Sequence, residues 1–143
     1  MPKYKLLEHT ADLRLLIYGK NLEDIFNNSA KALLDIALSK KKALTLKSSN
    51  KLIILKDKSK EDLLISWLNE LLFLLYSRNT IAKDIKLKIT HNNNLYILKA
   101  KVKTQEIALS SKNIKTEIKA ATYYNTQITK YKNGYKTEVV LDV

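Results

Sequence analysis

The stretch LLISWLNELLFLLY, at residues 63–76, decides the fold of this chain. Eleven of its fourteen residues are apolar, so a helix formed by this stretch leaves very little surface for water. Ser59 followed by Asp62 resembles a capping arrangement, which predicts a helix over residues 60–77. Because a membrane-spanning helix needs about 20 apolar residues, this helix is predicted to be the centre of a protein core.

A second helix and several strands are predicted on either side of this stretch. Residues 22–39 carry apolar side chains at helical spacing, with Asn21 as the N-cap. Alternating apolar residues predict strands elsewhere, and Asn133-Gly134 predicts a hairpin turn. The predicted strands include 10–19, 114–124, 126–132 and 135–143. Residues 43–56 are predicted to form two short strands about a turn at 48–50, and a turn at 91–94 is predicted to join strands at 85–89 and 96–102.

This order of elements predicts an α+β protein in which two helices pack on a mostly antiparallel β-sheet. A length of 143 residues and a hydrophobic content of 45% suit one domain, so residues 1–143 are predicted to form a single domain. The first residues lack an apolar signal segment, which predicts a cytoplasmic protein that does not associate with a membrane.

The composition argues against several classes of protein. The chain has no cysteine, which excludes disulfides, thiolate catalysis and cysteine-bound zinc. Its two glycines, Gly19 and Gly134, are too far apart to form a phosphate-binding or dinucleotide-binding loop. A net charge of +12 would attract RNA, yet only Arg14 and Arg78 supply the planar fork that grips phosphate. The lysines, including the run at 40–42, are therefore expected to serve mainly in solvation.

The segment EVVLDV, at residues 138–143, sets a carboxylate beside the terminal carboxyl group of Val143. If the first and last strands are neighbours, Asp12 joins Asp142 and Val143. Carboxylates that close repel one another unless a cation lies between them. A hard cation such as Ca²⁺, Mg²⁺ or Mn²⁺ is the natural ligand for such a set of oxygens. The other interpretation is a frayed terminal strand with an exposed aspartate.

The two histidines complete the set of candidate residues. His91, in an HNNN turn, is interpreted as a solvated loop residue. His9 is interpreted as a buried or half-buried histidine bonded to the backbone, with a catalytic role as the alternative. No catalytic residue is assigned, because nothing in the sequence pairs either histidine with a particular serine.

Four segments together resemble the archease family, and they occur in that family's order across nearly the whole chain. They are HTADLRLLIYGKNLEDIFNNSAKAL at 9–33, WLNELLFLLY at 67–76, TEIKAATYY at 116–124 and NGYKTEVVLDV at 133–143. The resemblance implies an accessory protein rather than an enzyme. Its partner would be the GTP- and metal-dependent tRNA-splicing RNA ligase, whose guanylylation and multiple turnover it would promote.

The resemblance also implies a divalent metal site. Carried over to this chain, the metal ligands are Asp12, Asp142 and Val143, with His9 as a candidate supporting residue. Ca²⁺ is the expected ion, and Mg²⁺ and Mn²⁺ are the alternatives. No catalytic residue or nucleotide cofactor site is implied, and contact with RNA is expected to be indirect or weak.

Three rival interpretations and one departure from the family pattern stay open. The first rival, also associated with archease-like proteins, is a chaperone or specificity modulator of a tRNA methyltransferase. The others are a metal-dependent hydrolase that uses the same acids and a basic RNA-binding module. The departure concerns Tyr124, which stands where a histidine is usual, and Lys112 and Lys115 in the preceding loop. No role is carried over to those three positions.

Overall fold

The computed structural model describes residues 3–8, 12–39, 44–108, 114–122 and 127–143. His9, Lys112, Tyr124 and the lysines at 40–42 lie outside the described residues. The elements in chain order are β1 (Tyr4–Glu8), β2 (Asp12–Gly19), α1 (Leu22–Ala37), β3 (Leu44–Asp57), α2 (Lys60–Arg78), β4 (Thr80–Asn92), β5 (Leu95–Ile107), β6 (Ala120–Thr122), β7 (Thr129–Tyr131) and β8 (Gly134–Asp142).

The strands form two sheets rather than one. The larger sheet has five strands in the order β1-β2-β8-β6, with β7 also paired to β8. The smaller sheet has three strands in the order β3-β5-β4. Every pairing among the described strands is antiparallel, which confirms the α+β class with two helices and antiparallel strands.

The two helices form a layer that contacts strands of both sheets. The predicted caps are present, since Asn21 Oδ1 accepts a hydrogen bond from Asp24 N at 2.8 Å and Ser59 Oγ accepts one from Asp62 N at 3.0 Å. Trp67 is fully buried, and its Nε1 donates to the carbonyl oxygen of Phe26 at 3.0 Å. This bond ties α2 to α1, and the stretch at residues 63–76 is the centre of the core. Neither described helix is long and apolar enough to cross a membrane.

Several predicted boundaries are wrong. Residues 44–57 form one continuous strand instead of two short ones, because β5 runs alongside and pairs with both parts. The strand predicted over 114–124 is confined, among its described residues, to Ala120–Thr122. The turn predicted at 91–94 is confined to Asn93 and Asn94, both with positive φ, and β1 was not predicted at all.

The last hairpin is present, but its turn lies one residue earlier than predicted. Tyr131 pairs with Gly134, so Lys132 and Asn133 form the turn, and Lys132 has the left-handed φ of 52°. Gly134 does not have a positive φ. Its missing side chain is needed for another reason, since a Cβ atom there would collide with the backbone carbonyl oxygen of Gly19. This close approach holds the start of β8 against the end of β2.

Candidate metal-binding site

The end of β8 is held on both of its sides. It pairs with β2 on one side and with β6 on the other, where Ala120 lies opposite Asp142. The backbone N–H of Lys119 donates to the carbonyl oxygen of Asp142 at 2.7 Å. The last residues of the strand are therefore paired in the sheet, and the frayed strand that the sequence allowed does not form.

The register of β2 and β8 places Asp12 directly opposite Asp142. Side chains in directly opposite positions of an antiparallel pair have their Cβ atoms roughly 4.5–5.5 Å apart. The neighbouring residues Leu13 and Leu141 are also opposite each other, and Leu141 is fully buried. Because side chains alternate along a strand, the two aspartates share the outer face of the larger sheet, away from the helices. Asp12 is half-buried and Asp142 is exposed.

The nearest arginine on this face is bound to another acid. Arg14 Nη2 lies 2.7 Å from Glu138 Oε1, in a salt bridge that both side chains make while partly exposed. Within the described ranges, neither Asp12 nor Asp142 has a salt-bridge partner. Like charges in directly opposite positions destabilise a strand pair. The two aspartates therefore form a site that a cation would stabilise.

Polar side chains of α2 position the segment beside Asp142. Asn69 uses both ends of its amide: Nδ2 donates to the carbonyl oxygen of Ala121 at 3.0 Å, and Oδ1 accepts from Ala121 N at 2.8 Å. Tyr76 Oη accepts from Ile118 N at 3.0 Å. These bonds dock β6 onto the helix, and β6 in turn pairs with the end of β8. Sequence reasoning missed Asn69 as a positioning residue. The sequence did contain a signal for this role, namely an amide inside an apolar helix, because a polar group in such surroundings needs a hydrogen-bond partner.

The structure brings together two of the four residues that the sequence singles out. Asp12 and Asp142 are opposite each other, Val143 follows directly and is 37% exposed, and His9 lies outside the described residues. The described part of the chain contains no group of three or more His, Cys, Asp and Glu side chains that could hold a metal ion, so Asp12 and Asp142 contribute two side-chain carboxylates without a third. Two carboxylates with a main-chain oxygen form an all-oxygen donor set, which suits Ca²⁺, an ion that also binds backbone carbonyls and waters. The residues present therefore fit a hard cation.

The fold and the acidic pair together define a class of protein. It is a small α+β protein in which a helical layer contacts two antiparallel sheets, with an acidic pair where the first long strand meets the last. The sequence profile of the Archease protein family (MTH1598/TM1083) matches residues 4–143. The chain belongs to the archease family.

Individual relatives agree with this assignment. The chain is 34% identical over 142 residues to the protein archease of Methanosarcina barkeri, covering 99% of this chain and 96% of the relative. The crystal structure of an archease from Thermotoga maritima, described as a possible chaperone, has a TM-score of 0.65 and 26% identity over 97% of this chain and 96% of that one. The solution structure of protein 1598 of Methanobacterium thermoautotrophicum has a TM-score of 0.78 at 23% identity, covers all of both chains and supports the fold alone.

Proposed function

We propose that this protein activates a GTP- and metal-dependent tRNA-splicing RNA ligase by promoting guanylylation and turnover of the ligase. In this proposal the protein is an accessory factor and the ligase is the enzyme. Membership of the archease family supports the choice of partner. The observation that carries the proposal is the register of β2 and β8, which sets Asp12 opposite Asp142 without a compensating cation among the described residues.

The proposed ligands of the divalent ion are Asp12, Asp142 and a main-chain oxygen of Val143. Ca²⁺ suits them best because it accepts a flexible, all-oxygen set with waters, and Mg²⁺ or Mn²⁺ are the alternatives. When bound, a divalent ion neutralises charge that develops on nucleotide phosphates. The supporting role of His9 is part of the same proposal.

The chain's own contribution is to hold the carboxylates in place and to present them. Pairing on both sides fixes the backbone of Asp142, so its carboxylate needs little ordering when a ligand arrives. Asp142 is exposed on the outer face, where a partner protein can approach it without displacing the core. We therefore expect the acidic pair to act by delivery toward the ligase's active site.

The test is a ligase guanylylation assay with Asp12→Asn and Asp142→Asn, which keep the size of each side chain and remove its charge. Each variant is expected to lower the stimulation by at least about tenfold, as loss of a metal-supporting group commonly does. Asp57→Asn, at the end of β3 in the other sheet, is the matched control and should stimulate like the wild type. Full stimulation by both site variants would disprove the acidic-site mechanism.

Metal binding can be measured apart from the ligase. A ligand at a hundred times its Kd stabilises the folded protein by about 2.7 kcal/mol. Titration of Ca²⁺ into the isolated protein should therefore raise its melting temperature, and the rise should be absent in Asp12→Asn. Mg²⁺ and Mn²⁺ titrations rank the three ions.

The second candidate is a chaperone or specificity modulator of a tRNA methyltransferase. It is retained because the Thermotoga maritima relative is described as a possible chaperone. This candidate requires physical association with the methyltransferase and altered site choice, both independent of Asp12. A co-purification and methylation-site assay with Asp12→Asn separates it from ligase activation.

A further inference from the structure

The outer face of the three-stranded sheet carries lysines in directly opposite positions of β4 and β5. The pairs are Lys83 with Lys103, Lys86 with Lys101, and Lys88 with Lys99. We call these six residues the lysine face. Five of them are exposed and Lys83 is half-buried. The lysines of β5 lie on the outer face because side chains alternate along a strand, and the intervening residues Leu98, Ala100 and Val102 are buried on the other face.

Within the paired segments 83–88 and 99–103, a single acid, Asp84, accompanies the six lysines. Of the described residues, none makes a salt bridge with any lysine of the lysine face. Asp84 is the acid in the shallow hollow of about 520 Å³ that Lys86, Lys101 and Lys103 help to line. It stands at a bulge of β4 with a φ of 49°, between Lys83 and Lys86. One acid against six cations leaves a strongly positive surface, whose pairs repel one another across the strands.

The spacing of these cations is regular in two directions. Along β5, Lys99, Lys101 and Lys103 repeat every second residue, which is roughly 6.6 Å in a strand. Across the strands each has a second lysine about 5 Å away between Cβ atoms. A nucleic-acid strand carries one phosphate per nucleotide at a comparable repeat, so successive phosphates can each meet a lysine. An acidic peptide matches this repeat only where its sequence places an acid at every second residue of an extended strand.

Two exposed aliphatic side chains continue the face onto β3. Leu52 is opposite Lys101 and is 56% exposed, and Ile54 is opposite Lys99 and is 48% exposed. They give the strip beside the lysines an apolar surface against which riboses or bases can pack. No aromatic residue stands at the outward positions of these three described strands, so the face lacks the stacking platform that common RNA modules use. Binding here would follow the backbone rather than the base sequence.

We infer that the lysine face binds the phosphate backbone of single-stranded RNA without sequence selectivity. The three-stranded sheet is wider than the helix or two-stranded ribbon that the major groove of B-form DNA admits, and the major groove of an RNA duplex is too narrow for side chains to read. A single strand can lie along the sheet. The choice of RNA over DNA rests on the proposed function, whereas the recognition of phosphate rests on the lysines alone. From the sequence, the scarcity of arginine predicts that the lysines serve mainly in solvation; the cross-strand pairing of six of them is the observation that favours a binding role here.

The experiment is a fluorescence anisotropy titration of the full chain with a labelled, unstructured oligouridylate at several salt concentrations. The test variant combines Lys88→Gln, Lys99→Gln and Lys101→Gln. Each phosphate contact contributes about −0.7 to the slope of log K against log salt for single strands, so this variant should lose about 2 from the slope. Its affinity at low salt should fall by at least about tenfold.

The matched control removes the same charge from elsewhere. Lys5→Gln, Lys20→Gln and Lys130→Gln together change three exposed lysines in β1, the loop before α1 and β7. This control should bind RNA within about threefold of the wild type, because it alters only the net charge. Equal loss in both triple variants would overturn the inference, since net charge alone would then explain binding.

Three further measurements test whether the lysine-face variant folds, which ligand the face prefers and whether RNA binding is independent of the metal site. The lysine-face variant should melt no lower than the wild type, because removing like charges from opposite positions relieves repulsion. Polyglutamate or duplex RNA that binds as tightly as single-stranded RNA would overturn the assignment of the ligand, as would tighter binding of the matching DNA strand. Asp12→Asn should bind RNA like the wild type, so failure of the metal-site proposal and failure of this inference give different results.

Discussion

The outer faces of the two sheets both carry like charges in directly opposite positions, but the sign of the charge differs. On the larger sheet Asp12 lies opposite Asp142, and on the smaller sheet three lysines of β4 lie opposite three of β5. Such pairs cost stability in the unliganded protein. Each arrangement therefore points to a ligand of the opposite sign, a compact cation for the acids and a long polyanion for the lysines.

The two faces also differ in the area over which the uncompensated charge extends. On the larger sheet the adjacent Arg14–Glu138 pair is neutralised at 2.7 Å, so the acidic pair is a small site beside balanced charges. The lysine pairs repeat along the middle of both strands, from Lys83 opposite Lys103 to Lys88 opposite Lys99. A confined site suits one ion, whereas an extended row suits a chain of charges. The two proposed sites therefore call for different ligands on one small protein.

The largest expected effect comes from Trp67, at the centre of the core. Trp67→Ala removes a fully buried side chain and its hydrogen bond to Phe26, and should cost about 3–5 kcal/mol of the free energy of unfolding. Chemical denaturation measures this loss. Phe73→Ala is the control on the same helix, since Phe73 is 47% exposed, and it should cost about 1 kcal/mol or less. Comparable losses in the two variants would contradict the central position of Trp67.

An intermediate effect is expected from the tyrosine that docks the segment next to the acidic pair. Tyr76→Phe leaves Ile118 N without its partner, which should cost about 1–3 kcal/mol at neutral pH. Burial raises the pKa of Tyr76 above its ordinary value of 10.0, against a smaller opposite effect of the hydrogen bond from Ile118. A raised pKa in the folded state means that the protonated group contributes stability below pH 10.0, and that this contribution is lost as the pH rises further.

The pH dependence gives the control for this variant. When the pH is raised from neutral to above 10.0, the free energy of unfolding of Tyr76→Phe should fall by less than that of the wild type. Tyr4, whose pKa is raised by its hydrogen bond to Asp35, still titrates in both proteins. Denaturation curves on both sides of that pH test this point, and identical alkaline losses in the two proteins would refute it.

The smallest expected effects come from charge exchange in the like-charge pairs themselves. Asp12→Lys gives the larger sheet an opposite-charge pair, and Lys88→Glu does the same for the smaller sheet. Each should stabilise the protein by about 0.2–1 kcal/mol. The first should abolish Ca²⁺ binding and spare RNA binding, and the second should weaken RNA binding and spare Ca²⁺ binding. Melting temperatures, with Ca²⁺ and RNA titrations on both variants, measure these effects, and a variant that lost both ligands would remove the distinction between the faces.

Helices and hairpins could be predicted because their signals are local. The N-caps Asn21 and Ser59 bond to residues three positions ahead, and the apolar spacing of each helix is contained within it. The turn of the last hairpin was displaced by one residue because Gly134 looks like a turn glycine in the sequence. Its actual constraint is the carbonyl oxygen of Gly19, which belongs to a distant strand.

By itself, the sequence determined the α+β class, both helices with their caps, the hairpin after α2, and the family to which the chain belongs. Only the tertiary structure decided that the strands divide into two sheets, that Asp12 lies opposite Asp142, and that the lysines of β4 lie opposite those of β5. The physical reason is register. A shift of one residue would turn every side chain of a strand to the other face, and what prevents that shift is burial of the core between segments far apart in the chain.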